Sequence, residues 1–227
     1  MENQLHLKMS FNQKIIAIIP AFNESKTVGE IVAEIKFYAD ETIVIDDGST
    51  DNTFFSAKDA GAIVIRNQSN QGYEASIEKG FREALKRKAS IVFTFDADGQ
   101  HRPEDIEKLT KLIISGKADV VIGQRQKIVH FAEKFFSFYT NIRFGIKDPL
   151  CGLKAYKIKV YSAVGHFDTL NLVGTQLMIE AIHKGFKINF ITINTKKRID
   201  ASRFYFRRIK ANYNILKAAI KAIIFLS

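Results

Sequence analysis

Short apolar runs alternate with amphipathic stretches along the first half of this chain. Residues 14–19 (Lys-Ile-Ile-Ala-Ile-Ile), 42–45, 62–65 and 91–95 are brief, almost uniformly apolar and rich in β-branched residues. That pattern predicts strands covered on both faces, and a fifth strand is predicted at 119–122. Between the runs, apolar positions recur at helical spacing. Val28, Ile31, Val32, Ile35 and Tyr38 mark a first helix, and 51–60 a short second one with Asp51 near its start. Ala75, Ile77, Phe81, Ala84 and Leu85 mark a third. Ile106, Leu109, Leu112 and Ile113 mark a fourth, with Pro103 in its first turn. The alternation predicts an α/β, doubly wound, Rossmann-like layout: a mostly parallel sheet sandwiched by helices. Such sheets bind ligands beyond the carboxyl ends of their strands. The polar segments 20–25, 46–51, 70–72 and 96–101 are therefore expected to converge on one edge.

After residue 125 the alternation weakens. Residues 130–144 read as helical, with Phe131, Phe135, Phe138, Tyr139 and Ile142 at three- and four-residue spacings. Residues 173–184 read as a helix and 186–193 as a strand. A C-terminal amphipathic helix is predicted over 204–226, with Ile209, Tyr213, Leu216, Ile220 and Ile223 on one stripe and Lys210, Lys217 and Lys221 on its flank. No repeat, linker or low-complexity tract divides the sequence. Residues 1–227 are thus expected to form one domain, with 204–226 a peripheral helical extension.

Composition narrows the partners. The 227 residues are 46% hydrophobic, enough for one sizeable core. Lys and Arg number 34 against 24 Asp and Glu, a formal charge of +10. Such a balance suits nucleic acid, an anionic membrane or phosphorylated substrates. No zinc-finger spacing or single-strand stacking motif accompanies the basic cluster of Lys196, Lys197, Arg198, Arg203, Arg207, Arg208 and Lys210, so no nucleic-acid partner is expected. The lone Cys151 excludes an internal disulfide and fits a reducing compartment. The N-terminus is polar up to Gln13, unlike a secretory signal, and no window approaches the ~20 apolar residues of a membrane span. The expected location is cytoplasmic. The C-terminal helix is a candidate for peripheral membrane contact or for homo-oligomer formation.

The densest chemistry is Asp96-Ala97-Asp98-Gly99-Gln100-His101, directly after an apolar strand. Carboxylates that close repel unless a positive group holds them. A divalent metal carrying substrate phosphates meets that need, and Mg²⁺ or Mn²⁺ prefers oxygen ligands. Asp96, Asp98 and Gln100 are the candidate ligands, with His101 in a supporting role. The competing reading is a surface turn with a helix cap.

Asp46-Asp47-Gly48-Ser49-Thr50-Asp51 follows the second strand. One carboxylate suits a ribose hydroxyl or a base N–H, while Ser49 or Asp51 caps the next helix. Pro20-Ala21-Phe22-Asn23-Glu24 offers polar ligand contacts after the first strand. Neither a dinucleotide-binding glycine motif nor a P-loop occurs there. Asn70-Gln71-Gly72, with Gly80 further on, suits a tight turn into a closely packed helix. Arg125, after Gly123-Gln124, would pair with a phosphate or else be solvated. Asp148 is a candidate acid, base or positioning residue in the turn Asp148-Pro149-Leu150-Cys151-Gly152-Leu153-Lys154. Cys151 reads as a small packed thiol, and Glu180 as either cleft-facing or solvated.

Taken together, these segments resemble the inverting nucleotide-sugar glycosyltransferases of the GT-A fold, most of all the dolichol-phosphate mannosyltransferase and polyprenyl-phosphate glycosyltransferase branch. The resemblance rests on Ile19 to Glu24, Asp46 to Thr53, Asn70 to Gly72, Asp96 to His101 and Gly123 to Arg125. It continues more loosely through Asp148 to Gly152, then Arg198 with Ser202 and Arg203, and spans about residues 14–205. It implies that Pro20, Ala21, Glu24, Asp46 and Asp47 line the nucleotide pocket. It implies that Asp96, Asp98 and Gln100 hold Mg²⁺ or Mn²⁺ against the donor diphosphate, and that Arg125, Arg198, Ser202 and Arg203 face donor or acceptor phosphates. Relatives usually carry glycine shortly before that serine and lysine after it; here Asp200-Ala201 precede Ser202 and Arg203 follows.

The expected reaction is metal-dependent, inverting transfer of a sugar from a nucleotide-diphosphate sugar to a polyprenyl (dolichyl or undecaprenyl) phosphate. Asp98, Arg125, Asp148 and Arg198 are the expected catalytic side chains. An ionised lipid phosphate needs no general base, whereas a sugar hydroxyl needs one, and Asp148 is its candidate. The alternatives are transfer to a carbohydrate hydroxyl in surface polysaccharide or glycan synthesis, and a non-catalytic sugar-nucleotide-binding protein.

Overall fold

The computed structural model describes residues 13–126, 128, 131–172, 174–196 and 208–225, the last segment with side chains only in part. Its strands are β1 (Ile15–Ala21), β2 (Glu41–Asp46), β3 (Ile63–Arg66), β4 (Ile91–Thr94), β5 (Val120–Arg125), β6 (Lys154–Lys157) and β7 (Ile188–Ile193). The helices are α1 (Val28–Ile35), α2 (Thr53–Asp59), α3 (Tyr73–Lys86), α4 (Glu104–Ile114), α5 (Phe131–Phe144), α6 (Ile158–Val164), α7 (Gln176–His183) and α8 (Arg208–Phe225). All seven strands form one sheet in the order β3-β2-β1-β4-β6-β5-β7.

The first half follows the sequence pattern. β1 pairs parallel with β2, Ala21 opposite Asp46, and with β4, Ile15 opposite Ile91. Because side chains alternate across a strand, an unbroken apolar run feeds two cores at once. Ile16 and Ile18 pack with α3 through Ile77, Phe81 and Ala84. Ile15, Ala17 and Ile19 pack on the other face with Val28, Ile31, Val32 and Ile35 of α1 and Ile106, Leu109 and Ile113 of α4. Gly80 is where α3 meets the sheet: a Cβ there would stand 2.3 Å from Ile18 Cγ2. That is the close helix packing expected of this glycine.

The second half departs from expectation in particular places. The segment 148–154 was expected to be a turn, yet it runs into β6, which lies antiparallel between β4 and β5. Its sequence, Lys-Ala-Tyr-Lys, carries two lysines and no apolar alternation. Burial of Lys154, Ala155 and Tyr156 comes from tertiary position rather than from local pattern. Helix α6 follows at once and was not anticipated. β5 extends to Arg125, so Gly123 and Gln124 lie within the strand, and β7 begins two residues later than expected, at Ile188.

Three apolar sets face outward where a buried stripe was expected or implied. Leu85 is exposed and Ser76 takes an inward position of α3 in place of Ala75. On α5 the buried residues are Ala132, Phe136 and Thr140, while Phe131, Phe135, Phe138 and Ile142 are exposed. On α8, Ile215, Ala218, Ala219 and Ala222 are buried, while Leu216 and Ile220 face outward. The side chains of Ile209, Tyr213 and Ile223 lie outside the described set. Helices α5 and α8 pack together, and Tyr139 Oη donates to the Ala222 carbonyl at 3.4 Å. No described helix is long and apolar enough to cross a membrane.

Candidate active site

The carboxyl ends of β1, β2 and β4 open on a cavity of about 380 Å³. Pro20, Ala21, Phe22 and Glu24 from the end of β1, Asp47 after β2, and Asn70, Gly72, Tyr73 and Ser76 at the start of α3 line it. Asp96, Ala97 and Asp98 after β4, and Leu150, Cys151, Gly152 and Lys154 leading into β6, complete the wall. Four polar segments far apart in sequence therefore meet where a doubly wound sheet binds its ligand.

Hydrogen bonds between loops fix this edge. Ser49 Oγ accepts from the Asn23 N–H at 2.9 Å, and Thr53 Oγ1 accepts from the Glu24 N–H at 2.8 Å. Asn23 Oδ1 accepts from the Thr50 N–H at 2.8 Å. Burial opposes the ionisation of Asp51, but hydrogen bonds from the hydroxyls and then the N–H groups of Thr53 and Ser25 hold its carboxyl below the usual range. Thr27 Oγ1 donates to the Ala97 carbonyl at 2.6 Å, linking the start of α1 to the acidic turn.

The adjacent pair Asp46 and Asp47 divides. Asp46 does not line the cavity, contrary to the expectation for it: successive strand residues point to opposite faces, and Asp46 is fully buried. Its Oδ1 accepts from the Ser49 N–H at 3.0 Å, and its Oδ2 lies 3.2 Å from Arg66 Nε. The angle at that second contact is an ion pair's rather than a hydrogen bond's, since Oδ2 has no hydrogen-bond donor among the described residues. Asp47 does reach the cavity, yet it also braces the neighbouring loop. It accepts from Asn67 Nδ2 and the Gln71 N–H, each at 2.8 Å, and from the Gly72 N–H at 2.9 Å.

Asp96 and Asp98 lie on one wall. Asp96 Oδ2 is 3.1 Å from His101 Nε2. Burial favours a neutral Asp96, but the His101 contact, with Lys154 and Arg125 nearby, outweighs it and holds the carboxyl low. His101 is buried and stacks edge-on against Phe95. Asp98 Oδ1 accepts from the Gln100 N–H at 3.0 Å. Gln100 contributes backbone here, and its side chain is not on the cavity wall. Two carboxylates on one wall form a hard oxygen donor set that fits Mg²⁺ or Mn²⁺. Among the described residues no three His, Cys, Asp or Glu side chains form a ready-made cage. Diphosphate oxygens would therefore complete the coordination sphere.

Arg125 and Asp148 are brought together, but with each other and off the main cavity wall. Asp148 Oδ2 accepts from Arg125 Nε at 2.8 Å and from its N–H at 3.0 Å, and Oδ1 accepts from Nη2 at 2.9 Å. Arg125 Nη2 also reaches Glu133 Oε2 at 3.3 Å. A guanidinium so bound has fewer donors for phosphate, and a carboxylate so bound has its oxygens already occupied. Glu180 is likewise engaged, accepting from Gln176 Nε2 at 2.6 Å beside His166. Arg198, Ser202 and Arg203 lie outside the described residues.

Lys154 and Tyr73 add to the chemistry of the wall. Lys154 is 3% exposed, and its Nζ donates to the Gly174 carbonyl at 3.0 Å. Burial pulls its pKa down, and Cys151, Asp148, Asp96 and Asp168 pull it back up. Tyr73 lines the cavity with its hydroxyl pKa raised by burial and by Asp96. The only sequence signal for Lys154 was a lysine adjoining two buried strand positions. Cys151 is the packed thiol expected, its pKa pushed up to about 12 by burial and by Asp148.

Comparison with known proteins agrees with this geometry. Residues 16–165 match the model of Glycosyl transferase family 2. The undecaprenyl-phosphate mannosyltransferase of Micrococcus luteus is 28% identical, over 82% of this chain and 80% of that protein. The dolichol-phosphate mannosyltransferase of Pyrococcus furiosus is 29% identical, over 76% of this chain and 53% of that protein. Among solved structures, glucosyl-3-phosphoglycerate synthase from Mycobacterium tuberculosis, in complex with Mn²⁺, uridine diphosphate and phosphoglyceric acid, superposes with a TM-score of 0.74. It is 18% identical, over 98% of this chain and 81% of that one. The strand order, the loop edge and these matches converge: the chain has the α/β, Rossmann-like GT-A fold and belongs to Glycosyl transferase family 2.

Proposed function

We propose that this protein catalyses divalent-metal-dependent, inverting transfer of a sugar from a nucleotide-diphosphate sugar to an acceptor. The observation that carries the reading is the pair Asp96 and Asp98 on the wall of a cavity also lined by Pro20, Ala21, Phe22 and Asp47. The apolar surface suits a nucleobase, and Glu24 and Asp47 suit polar edges of the nucleoside. Asp96 and Asp98 would hold Mg²⁺ or Mn²⁺, which when bound neutralises the charge that develops on the leaving diphosphate. Gln100 supports that turn through its backbone. His101 orients Asp96, and the Arg125–Asp148 pair sets the field beside it. Arg198, Ser202 and Arg203 remain assigned to donor or acceptor phosphates. Attack from the face opposite the leaving group inverts the anomeric carbon in one displacement.

Two acceptor classes divide the finer reading. The relatives named above act, by name, on dolichol phosphate and undecaprenyl phosphate, which supports a polyprenyl phosphate. The engagement of Asp148 by Arg125 points the same way, because a phosphate acceptor needs no base. The solved neighbour was crystallised with phosphoglyceric acid, which favours a hydroxyl acceptor such as a carbohydrate or small hydroxy acid. For a lipid acceptor the outward apolar positions of α5 and α8 supply a surface for peripheral membrane contact. A donor-and-acceptor screen with Mg²⁺ or Mn²⁺, read by mass spectrometry, tests the proposal. It offers short polyprenyl phosphates, phosphoglycerate and oligosaccharides to each nucleotide sugar. A glycosylated product on any acceptor, lost with chelator, supports it; nucleotide-sugar binding with no product on any of them leaves the binding-protein alternative standing.

A further inference from the structure

Resting on the reading of the cavity as a nucleotide-sugar site, we propose that Lys154 contacts the transferred sugar and sets which donor is held. β2, β1, β4 and β6 lie side by side, and each sends residues to the same cavity. Asp47 stands at the β2 side, Pro20 to Glu24 at β1, Asp96 and Asp98 at β4, and Leu150 to Lys154 at the β6 side. A nucleotide sugar is itself linear in chemistry: nucleoside, diphosphate, sugar. With the diphosphate at Asp96 and Asp98 and the nucleoside at β1 and β2, the sugar falls at β6. Lys154 is the first residue of β6 and pairs with Thr94, two residues before Asp96.

The lysine has more capacity than its structural task requires. Among the described residues the one acceptor for its Nζ is the Gly174 carbonyl. An ammonium carries three N–H donors, which leaves two beside the cavity. The loop that contains Gly174 is already anchored by Asp168, which accepts from the N–H groups of Leu170, Leu172 and Gly174. Burying a cation is costly unless it is well matched; Asp148, Asp96 and Asp168 balance part of the Lys154 charge, and the Gly174 carbonyl takes only one of its N–H groups. Tyr73 flanks the same corner, its ring 3.4 Å from where a Gly174 Cβ would stand. An ammonium and a phenol lining one cavity suit the hydroxyl and ring oxygens of a hexose.

The experiment separates contact from scaffolding. Lys154→Met removes all donors, and Lys154→Gln keeps a donor for Gly174 without the charge. Calorimetric titration with Mn²⁺ compares UDP with UDP-glucose and GDP with GDP-mannose, for wild type and both variants. The readout is the affinity ratio of each nucleotide sugar to its free nucleotide. We expect the affinity ratio of nucleotide sugar to free nucleotide to fall by about tenfold or more in both variants, the size of lost charge-assisted hydrogen bonds. A ratio unchanged in the folded variants, whether both affinities fall together or neither moves, overturns the proposal and leaves Lys154 a brace for the 168–174 loop. Should wild type bind none of the four probes, the nucleotide-sugar reading itself falls, and this inference with it; that result is distinct from an unchanged ratio.

Discussion

Gly152 lies so close beneath Asp96 that a Cβ on residue 152 would stand 1.9 Å from Asp96 Oδ2. The backbone at 152 has little room to withdraw, because its carbonyl accepts from the buried Thr94 Oγ1 at 2.6 Å. Gly152→Ala should therefore push the Asp96 carboxylate off its place beside His101 while leaving the sheet intact. We expect sugar transfer to fall at least tenfold, approaching the loss in Asp98→Ala, with circular dichroism unchanged. A Gly152→Ala protein as active as wild type would mean that the position of Asp96 is immaterial to the reaction.

The Arg125–Asp148 pair separates a structural from a catalytic role. Removing only the guanidinium, as in Arg125→Ala, leaves Asp148 buried at 1% exposure with the backbone N–H of residue 125 but without its two guanidinium donors. Loss of one partner of a buried pair costs about 3–5 kcal/mol, whereas replacing both by apolar groups of similar size is often tolerated. The double variant Arg125→Met, Asp148→Leu should recover most of that stability by urea denaturation. If it recovers activity as well, both residues are scaffolding. If it is stable yet at least a hundredfold slower, the pair acts on substrate.

Asp47 should prove at least as much a brace as a ligand. Asp47→Ala orphans Asn67 Nδ2 and the Gln71 and Gly72 N–H groups, at a cost of about 2–4 kcal/mol. Hydrogen exchange at Gln71 and Gly72 should accelerate in the variant. A protein within about 0.5 kcal/mol of wild type, with those amides still protected, would contradict this.

The parts legible from sequence were those in which local pattern and tertiary role coincide. β1, β2 and β4 are buried on both faces, so unbroken apolar runs announce them, and Ile31, Val32 and Ile35 repeat at the spacing their helix buries. The acidic turn at Asp96 was legible because the charge is hard to accommodate there otherwise. β6 was not, because an interior antiparallel strand of Lys-Ala-Tyr-Lys owes its place to its neighbours β4 and β5. Asp46 and Asp47 read as one acidic cluster in sequence, but adjacency in a strand sends them to opposite faces, and only Asp47 lines the cavity. Arg125 and Asp148, far apart in sequence, could each be read as substrate ligands only while their mutual contact was unknown.

Asp119 predicts an acid limit to stability. Burial opposes its ionisation, but the Lys187 N–H and the ammonium groups of Lys157 and Lys159 prevail and hold its carboxyl at about 2. An unfolded Asp titrates near ~3.9. A depressed native pKa contributes stability above the unfolded value and loses it as pH falls through the native one. Asp119→Asn should thus be less stable than wild type at pH 6, with the gap narrowing from about pH 4 and closing near pH 2. A gap of constant width across that window would show that packing, and not charge, is what Asp119 supplies where β5, β6 and β7 meet.

The outward faces of α5 and α8 predict how the protein meets a lipid acceptor. Phe131, Phe138 and Ile142 are 82%, 65% and 69% exposed, and Leu216, Ile220 and Ile224 continue the apolar surface on α8. Lys134, Arg143, Lys147 and Lys217 are exposed on and beside the same helices. Apolar side chains among cations favour an anionic bilayer, each basic residue near the surface contributing on the order of 1 kcal/mol. The intact chain should float with anionic vesicles and weaken as salt rises. Phe138→Asp with Ile142→Asp should cost more than tenfold in vesicle affinity while leaving transfer to a water-soluble acceptor analogue unchanged. Equal flotation of variant and wild type would remove α5 from the contact. Failure of the intact chain to float at low salt would remove the membrane reading, and with it one support for a polyprenyl phosphate over a soluble hydroxyl acceptor.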